Sequence, residues 1–116
     1  METAAENFTA SANLNLDTLF GDLKRWFKDE MMLDVQIVPA ETMGNSVRRY
    51  DPHRGRVLLS EALRRPQRSF QLLLQAALLT QDSLISSMVE DAGNEAMSGF
   101  LHNTLAGYFA AAVLLP

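Results

Sequence analysis

The chain has 116 residues, 47% of them hydrophobic and 21% charged, with a formal net charge of −4 and no cysteine. That length predicts one domain with a true core, and the missing cysteine excludes disulfides, thiolate metal sites, iron–sulfur clusters and a cysteine nucleophile. The N-terminus lacks the apolar core of a signal peptide, and no run approaches about eighteen unbroken apolar residues. The expectation is a cytoplasmic protein that does not use a membrane.

Residues 1–14 (METAAENFTASANL) are small and polar without a period, which predicts a flexible linker or expression remnant. Order is expected over 15–116. Asn15 fits an N-cap and Asp17 a first turn, and Leu16, Leu19, Phe20, Leu23 and Phe27 recur at helical spacing to about Met31. Trp26 flanks that stripe, where burial competes with stacking on a ligand ring.

Leu33, Val35 and Ile37 alternate with Asp34 and Gln36, a half-buried strand that Pro39 stops. Thr42 to Asn45 reads as a turn, Ser46 to Asp51 as a second strand, and Asp51-Pro52-His53-Arg54-Gly55 as a tight loop. Arg56 to Ser60 is the third strand, and short strands joined by such loops predict an antiparallel sheet. Pro66 suits the first turn of a helix with Phe70, Leu73, Leu74, Ala77 and Leu78 on its apolar side. A short helix from Ser83 to Asp91, capped by Asp82 and stopped at Gly93, precedes a last helix capped by Asn94. The fold class is α+β: a helix, three strands, then three helices.

That layout resembles the ImmA/IrrE-type minimal zinc-metallopeptidase fold, and two stretches carry the likeness. RSFQLLLQAALL from Arg68 resembles the family's R-x-F-x-x-A-H-E-x-x-H-x core helix, and YFAAAVLLP resembles its F-A-A-x-L-L-x-P ending. LFGDLKRWF, LDVQIVPAE, RRYDPHRGRVLLSE and ALRRPQRSFQL are closer still to short-chain fatty acyl transcriptional regulators, and within them to PrpR-type regulators of propionate and methylcitrate metabolism. The resemblance spans Leu16 to Pro116. It implies a domain that binds coenzyme A or acyl-coenzyme A. Such regulators carry a helix-turn-helix upstream and a cysteine-bearing segment after the L-L-x-P; neither is in this sequence, so DNA would be read only by a domain outside it.

A zincin needs two histidines one helical turn apart and a glutamate beside the first. The matching positions hold Leu74, Gln75 and Leu78, and no acid lies between Asn103 and Gly107. Leucine offers zinc no lone pair, and Gln75 cannot take a proton as a carboxylate does. The sequence therefore predicts a degenerate zincin-like domain without metal or catalysis. His53 and His102 are far apart in sequence and have no clustered acid.

Leucines in a former metal cleft would suit a short acyl chain, each buried methylene contributing about 0.8 kcal/mol; the competing reading is ordinary core packing. Seven arginines (Arg48, Arg49, Arg54, Arg56, Arg64, Arg65 and Arg68) crowd 21 residues against Asp51 and Glu61 alone. Basic side chains at a helix start cost up to about 1 kcal/mol each unless an anion joins them, and a phosphate would accept both guanidinium and backbone N–H donors. The net charge and the lack of a groove-entering motif disfavour a nucleic-acid footprint. Arg48, Arg49, Arg56, Arg65 and Arg68 are the expected phosphate ligands, Tyr50 or Trp26 the adenine platform, and Phe70, Leu74, Leu78 and Tyr108 the acyl lining. The long apolar terminal helix predicts a homodimer, and a pure oligomerisation scaffold is the alternative function.

Overall fold

The computed structural model describes residues 2–92 and 98–115. The chain runs α1 (Glu2–Ser11), a 3-10 turn (Leu16–Thr18), α2 (Leu19–Met31), β1 (Asp34–Val38), α3 (Ala40–Met43), β2 (Arg48–Asp51), β3 (Arg56–Ser60), α4 (Arg65–Thr80), α5 (Asp82–Ala92) and α6 (Ser98–Leu114). It is an α+β fold. The stop expected at Gly93 and the cap expected at Asn94 lie outside the described residues.

Where the sequence suggested one core, the contacts divide into two compact units, with the division falling inside α4. One comprises Met1–Ser11 and Leu73–Pro116, the other Ala12–Leu72. In the second unit, Asn15 caps as expected, its side-chain oxygen accepting from the Asp17 N–H at 2.9 Å. Leu19, Leu23, Trp26 and Phe27 then bury one face of α2, each fully buried apolar side chain contributing about 1.5–3 kcal/mol. The helix ends on Met32, which adopts a left-handed conformation, and both Met32 and Leu33 donate their N–H groups to the Phe27 carbonyl. That double return satisfies a last-turn carbonyl and turns the chain into β1.

The sheet corrects the expected antiparallel arrangement. Its order is β1-β3-β2: β3 pairs parallel with β1 (Val35 opposite Val57) and antiparallel with β2 (Tyr50 opposite Val57). Pro39 to Val47 holds the one-turn helix α3 where a turn was expected. This connection is long enough to step past one strand position of about 4.8 Å, which leaves the central slot for β3. Val57, Leu58, Leu59 and Ser60 are accordingly all buried, as a strand covered on both faces should be. The loop before β3 closes through Gly55, whose φ is +62° and whose missing Cβ would sit 3.3 Å from the Met32 carbonyl oxygen. Both conditions favour glycine.

In the other unit, the first residues are a helix and not the linker expected of residues 1–14. Ala5 and Phe8 are buried one turn apart, and the Phe8 ring meets that of Phe109 with centroids 5.6 Å apart. The helix forms because its small residues let Phe8 reach α6, against which α1 packs. Leu73, Ala76, Ala77, Ile85, Ala106, Phe109 and Ala110 are fully buried. The helices α4 and α5 meet at a 76° bend. Among the described residues, no single helix is long and apolar enough to cross a membrane.

Candidate ligand-binding site

The start of α4 is built by polar side chains acting on backbone. The Arg64 N–H donates to Gln67 Oε1 at 2.8 Å, and the Arg68 N–H closes the first turn on the Arg64 carbonyl. Gln67 thus supplies the reaching-back half of a capping box. Arg68 folds over the incoming loop, with Nε donating to the Leu63 carbonyl at 2.9 Å and Nη2 to the Glu61 carbonyl at 3.1 Å. It was expected on a phosphate; it is engaged instead in holding the loop that precedes its own helix.

The other arginines divide likewise. Arg56 donates to Asp51 Oδ2 at 3.2 Å, and Arg54 lies 3.7 Å from the same oxygen. Burial alone would raise the Asp51 pKa, but the hydrogen bonds from Arg56 and the Arg54 backbone, with both guanidinium charges, hold it below the usual value. Arg56 is therefore already partnered by an anion.

Successive strand residues point to opposite faces, so Arg49 lies across the sheet from Arg48 and Tyr50. It donates to the Met43 carbonyl at 3.3 Å, and it cannot share a ligand phosphate with Arg48. Arg64 and Arg65 are exposed, and their side chains make no hydrogen bond or ion pair among the described residues.

Arg48 is the informative cation. Its guanidinium is half-buried and donates through Nη1 to Gln71 Oε1 of α4 at 2.8 Å, but it has no carboxylate partner among the described residues. Desolvation pulls its pKa below the ordinary arginine value. A desolvated charge held by a neutral amide retains most of its electrostatic cost, which an anion would relieve. Tyr50, on the same face of the sheet, is 41% exposed. Trp26 is only 9% exposed and packs edge-on against Phe27 at 4.9 Å. Stacking on an adenine is closed to it, because too little of its ring is accessible.

Along α4 from Phe70 to Leu78, the partly accessible residues lie on one side. Phe70, Gln71, Leu74 and Leu78 are half-buried, whereas Leu72, Leu73, Ala76 and Ala77 are sealed. Gln71, Leu74 and Leu78 share one helical face, on which Gln75 is buried at 4% exposure; that face carries an arginine-bonded amide at one end and leucines toward the other. Tyr108, on α6, is 62% exposed. Among the described residues, no group of three or more His, Cys, Asp or Glu could hold a metal ion. His102 lies 3.3 Å through Nε2 from Ser86 Oγ.

Residues 29–116 match the IrrE N-terminal-like domain family, Peptidase_M78. The chain belongs to that family. It is 30% identical over 118 residues to the HTH-type transcriptional regulator PrpR of Mycobacterium tuberculosis, covering all of this chain and 24% of that protein. A solved structure of a Mycobacterium tuberculosis transcriptional regulator superposes with a TM-score of 0.87 at 32% identity, over 99% of this chain and 35% of the other. The chain therefore spans about a quarter of the curated relative and a third of the solved one. It is an IrrE-type domain of the kind found in transcriptional regulators, and regulator relatives of a peptidase-like family point to a domain without catalysis.

The zinc that the peptidase branch implies takes His, Cys and carboxylate donors, and the described residues do not bring three such groups together. No step through a metal follows from these residues.

Proposed function

We propose that this IrrE-type domain is the effector-sensing part of a transcriptional regulator and binds coenzyme A or a short-chain acyl-coenzyme A. The carrying observation is Arg48: a half-buried guanidinium held by the neutral amide of Gln71, without a carboxylate partner among the described residues. The anionic head of such a ligand would relieve that charge. Arg48, with Arg65 at the helix start, receives phosphate; Tyr50 offers an exposed ring to the adenine. Phe70, Leu74, Leu78 and Tyr108 line the acyl end, Leu74, Gln75 and Leu78 standing where the peptidases of the family carry their zinc ligands and glutamate.

DNA contact belongs to a separate helix-turn-helix domain, in keeping with the small share of the PrpR chain that this domain covers. Ligand binding changes the regulator only through different affinity for its two states. Titration calorimetry of the domain with coenzyme A and propionyl-coenzyme A gives micromolar or tighter binding on this reading; flat traces for both remove it.

A scaffold role has its own support. From Ser98 to Leu114 the helix α6 has no Asp, Glu, Lys or Arg, and it exposes Phe100 and Tyr108. A homodimer through that helix would appear as a concentration-dependent mass in sedimentation, whether or not ligand is present.

A further inference from the structure

Arg48 is held by only one of its three side-chain nitrogens. Nη1 donates to Gln71 Oε1 at 2.8 Å, and the guanidinium makes no other hydrogen bond or ion pair among the described residues. Arg48 is half-buried, and among those residues no fully sealed side-chain nitrogen or oxygen lacks a partner. Nε and Nη2 have no partner, so both reach the surface. Together they form the side-on edge of the guanidinium, two parallel N–H donors that match two oxygens of one phosphate. The bond to Gln71 holds the group from its third nitrogen, so the fork is positioned without being used.

A glutamate at position 71 has the shape and reach of glutamine and would make the same contact, but it would also neutralise the charge. Arg56 shows that outcome in the same sheet. Its Nε donates to Asp51 Oδ2 at 3.2 Å, and the carboxylate occupies the edge that a ligand would need. Arg48 differs in having a partner that orients the guanidinium and leaves both its charge and its fork available. Desolvation meanwhile lowers the Arg48 pKa, a cost that an uncharged amide offsets only in part. Both residues lie in the unit Ala12–Leu72, so the arrangement is complete within one unit.

We propose that Gln71 is a positioning residue: by holding Arg48 through an uncharged amide, it presents the Nε and Nη2 edge of Arg48 to one phosphate of the ligand. This deepens the coenzyme A reading and rests on it. Gln71 itself need touch no ligand atom. Its lack of charge, not its size, decides that Arg48 serves the ligand and not the fold.

The test is calorimetry with coenzyme A on wild type, Gln71→Glu and Gln71→Met. Gln71→Glu is expected to bind roughly tenfold more weakly or worse, the loss of a charge-assisted contact, while its melting temperature stays level or rises. Gln71→Met removes the amide without adding charge and is expected to bind more tightly than Gln71→Glu. If wild type binds coenzyme A and Gln71→Glu binds it equally, this inference is overturned and the coenzyme A reading stands. A Gln71→Met affinity as low as that of Gln71→Glu also overturns it, because the acceptor and not its neutrality would then matter. Failure of wild type to bind coenzyme A overturns both. Should Gln71→Glu not fold, the Arg48 Nε–H resonance of wild type decides: it shifts on saturation with coenzyme A, and a resonance left in place overturns the assignment.

Discussion

The two halves of α4 handle polarity in opposite ways. At its start, nearly every polar side chain is spent on the protein itself: Gln67 on the Arg64 N–H, Arg68 on two loop carbonyls, Gln71 on Arg48. Toward its end the half-buried residues are Leu74, Leu78, Leu79 and Thr80, whose hydroxyl returns to the Ala76 carbonyl, and the buried Gln75 makes no side-chain hydrogen bond among the described residues. The difference teaches that a surplus of charge in sequence is not a surplus in space. Of seven clustered arginines, five are engaged with a carboxylate, a carbonyl or an amide. What distinguishes Arg48 is desolvation: burial pulls its pKa down while its partner is a neutral amide.

The largest expected effect separates the sealed side of α4 from its open side. Leu73→Ala, at a fully buried position, should cost about 2–5 kcal/mol, whereas Leu74→Ala, one residue on and half-buried, should cost about 1–1.5 kcal/mol. Equal losses in chemical denaturation would mean that Leu74 is ordinary core and that the helix has no open face.

How much of this was legible beforehand differs by element. The α2 stripe, the Asn15 cap and β3 could be read directly, because periodicity and turn chemistry are local. The place of β3 in the sheet was also written in the chain, in the unbroken Val57-Leu58-Leu59 run of a strand buried on both sides, but turn chemistry alone favoured an antiparallel meander. Residues 2–11 were opaque: Ala5 and Phe8 gain a helix only from the Phe109 ring, a contact that spans the chain. The site was legible in its residue types and not in its pairings. Nothing in sequence spacing assigns Arg68 to the Glu61 and Leu63 carbonyls, Arg48 to Gln71, or isolation to Gln75.

Arg68→Ala sharpens the comparison at the polar half. Loss of its two carbonyl contacts should destabilise by about 1–2 kcal/mol and loosen the loop before α4, visible as faster amide exchange at Ala62 to Arg65. A stability unchanged from wild type would return Arg68 to the pool of free cations. Arg65→Ala should do the reverse: a stability change within about 0.5 kcal/mol, but weaker coenzyme A binding whose deficit shrinks as salt rises. Unaltered affinity at low salt would remove Arg65 from the head-group contacts.

The smallest effect is one of pH and involves carboxylates apart from the open face. Asp22 is lowered chiefly by the Asn15 backbone N–H, then by Thr18 and Arg25 against an opposing desolvation, and Asp51 by its arginine partners. A carboxylate with a depressed folded pKa contributes stability that is complete above its unfolded value, near about 4, and is lost as pH falls through the folded one. Stability should therefore decline with acid below about pH 4, and Asp22→Asn with Asp51→Asn should flatten that decline. A wild-type profile level through this range would contradict the pairing of these groups.

The central claim is that the leucine end of α4 receives an acyl chain. Solution NMR of the domain with propionyl-coenzyme A, labelled at the propionyl methyl group, tests it most directly. The account predicts intermolecular contacts from that methyl to the side chains of Leu74 and Leu78. Contacts confined to other residues, with both leucines unperturbed, would contradict it.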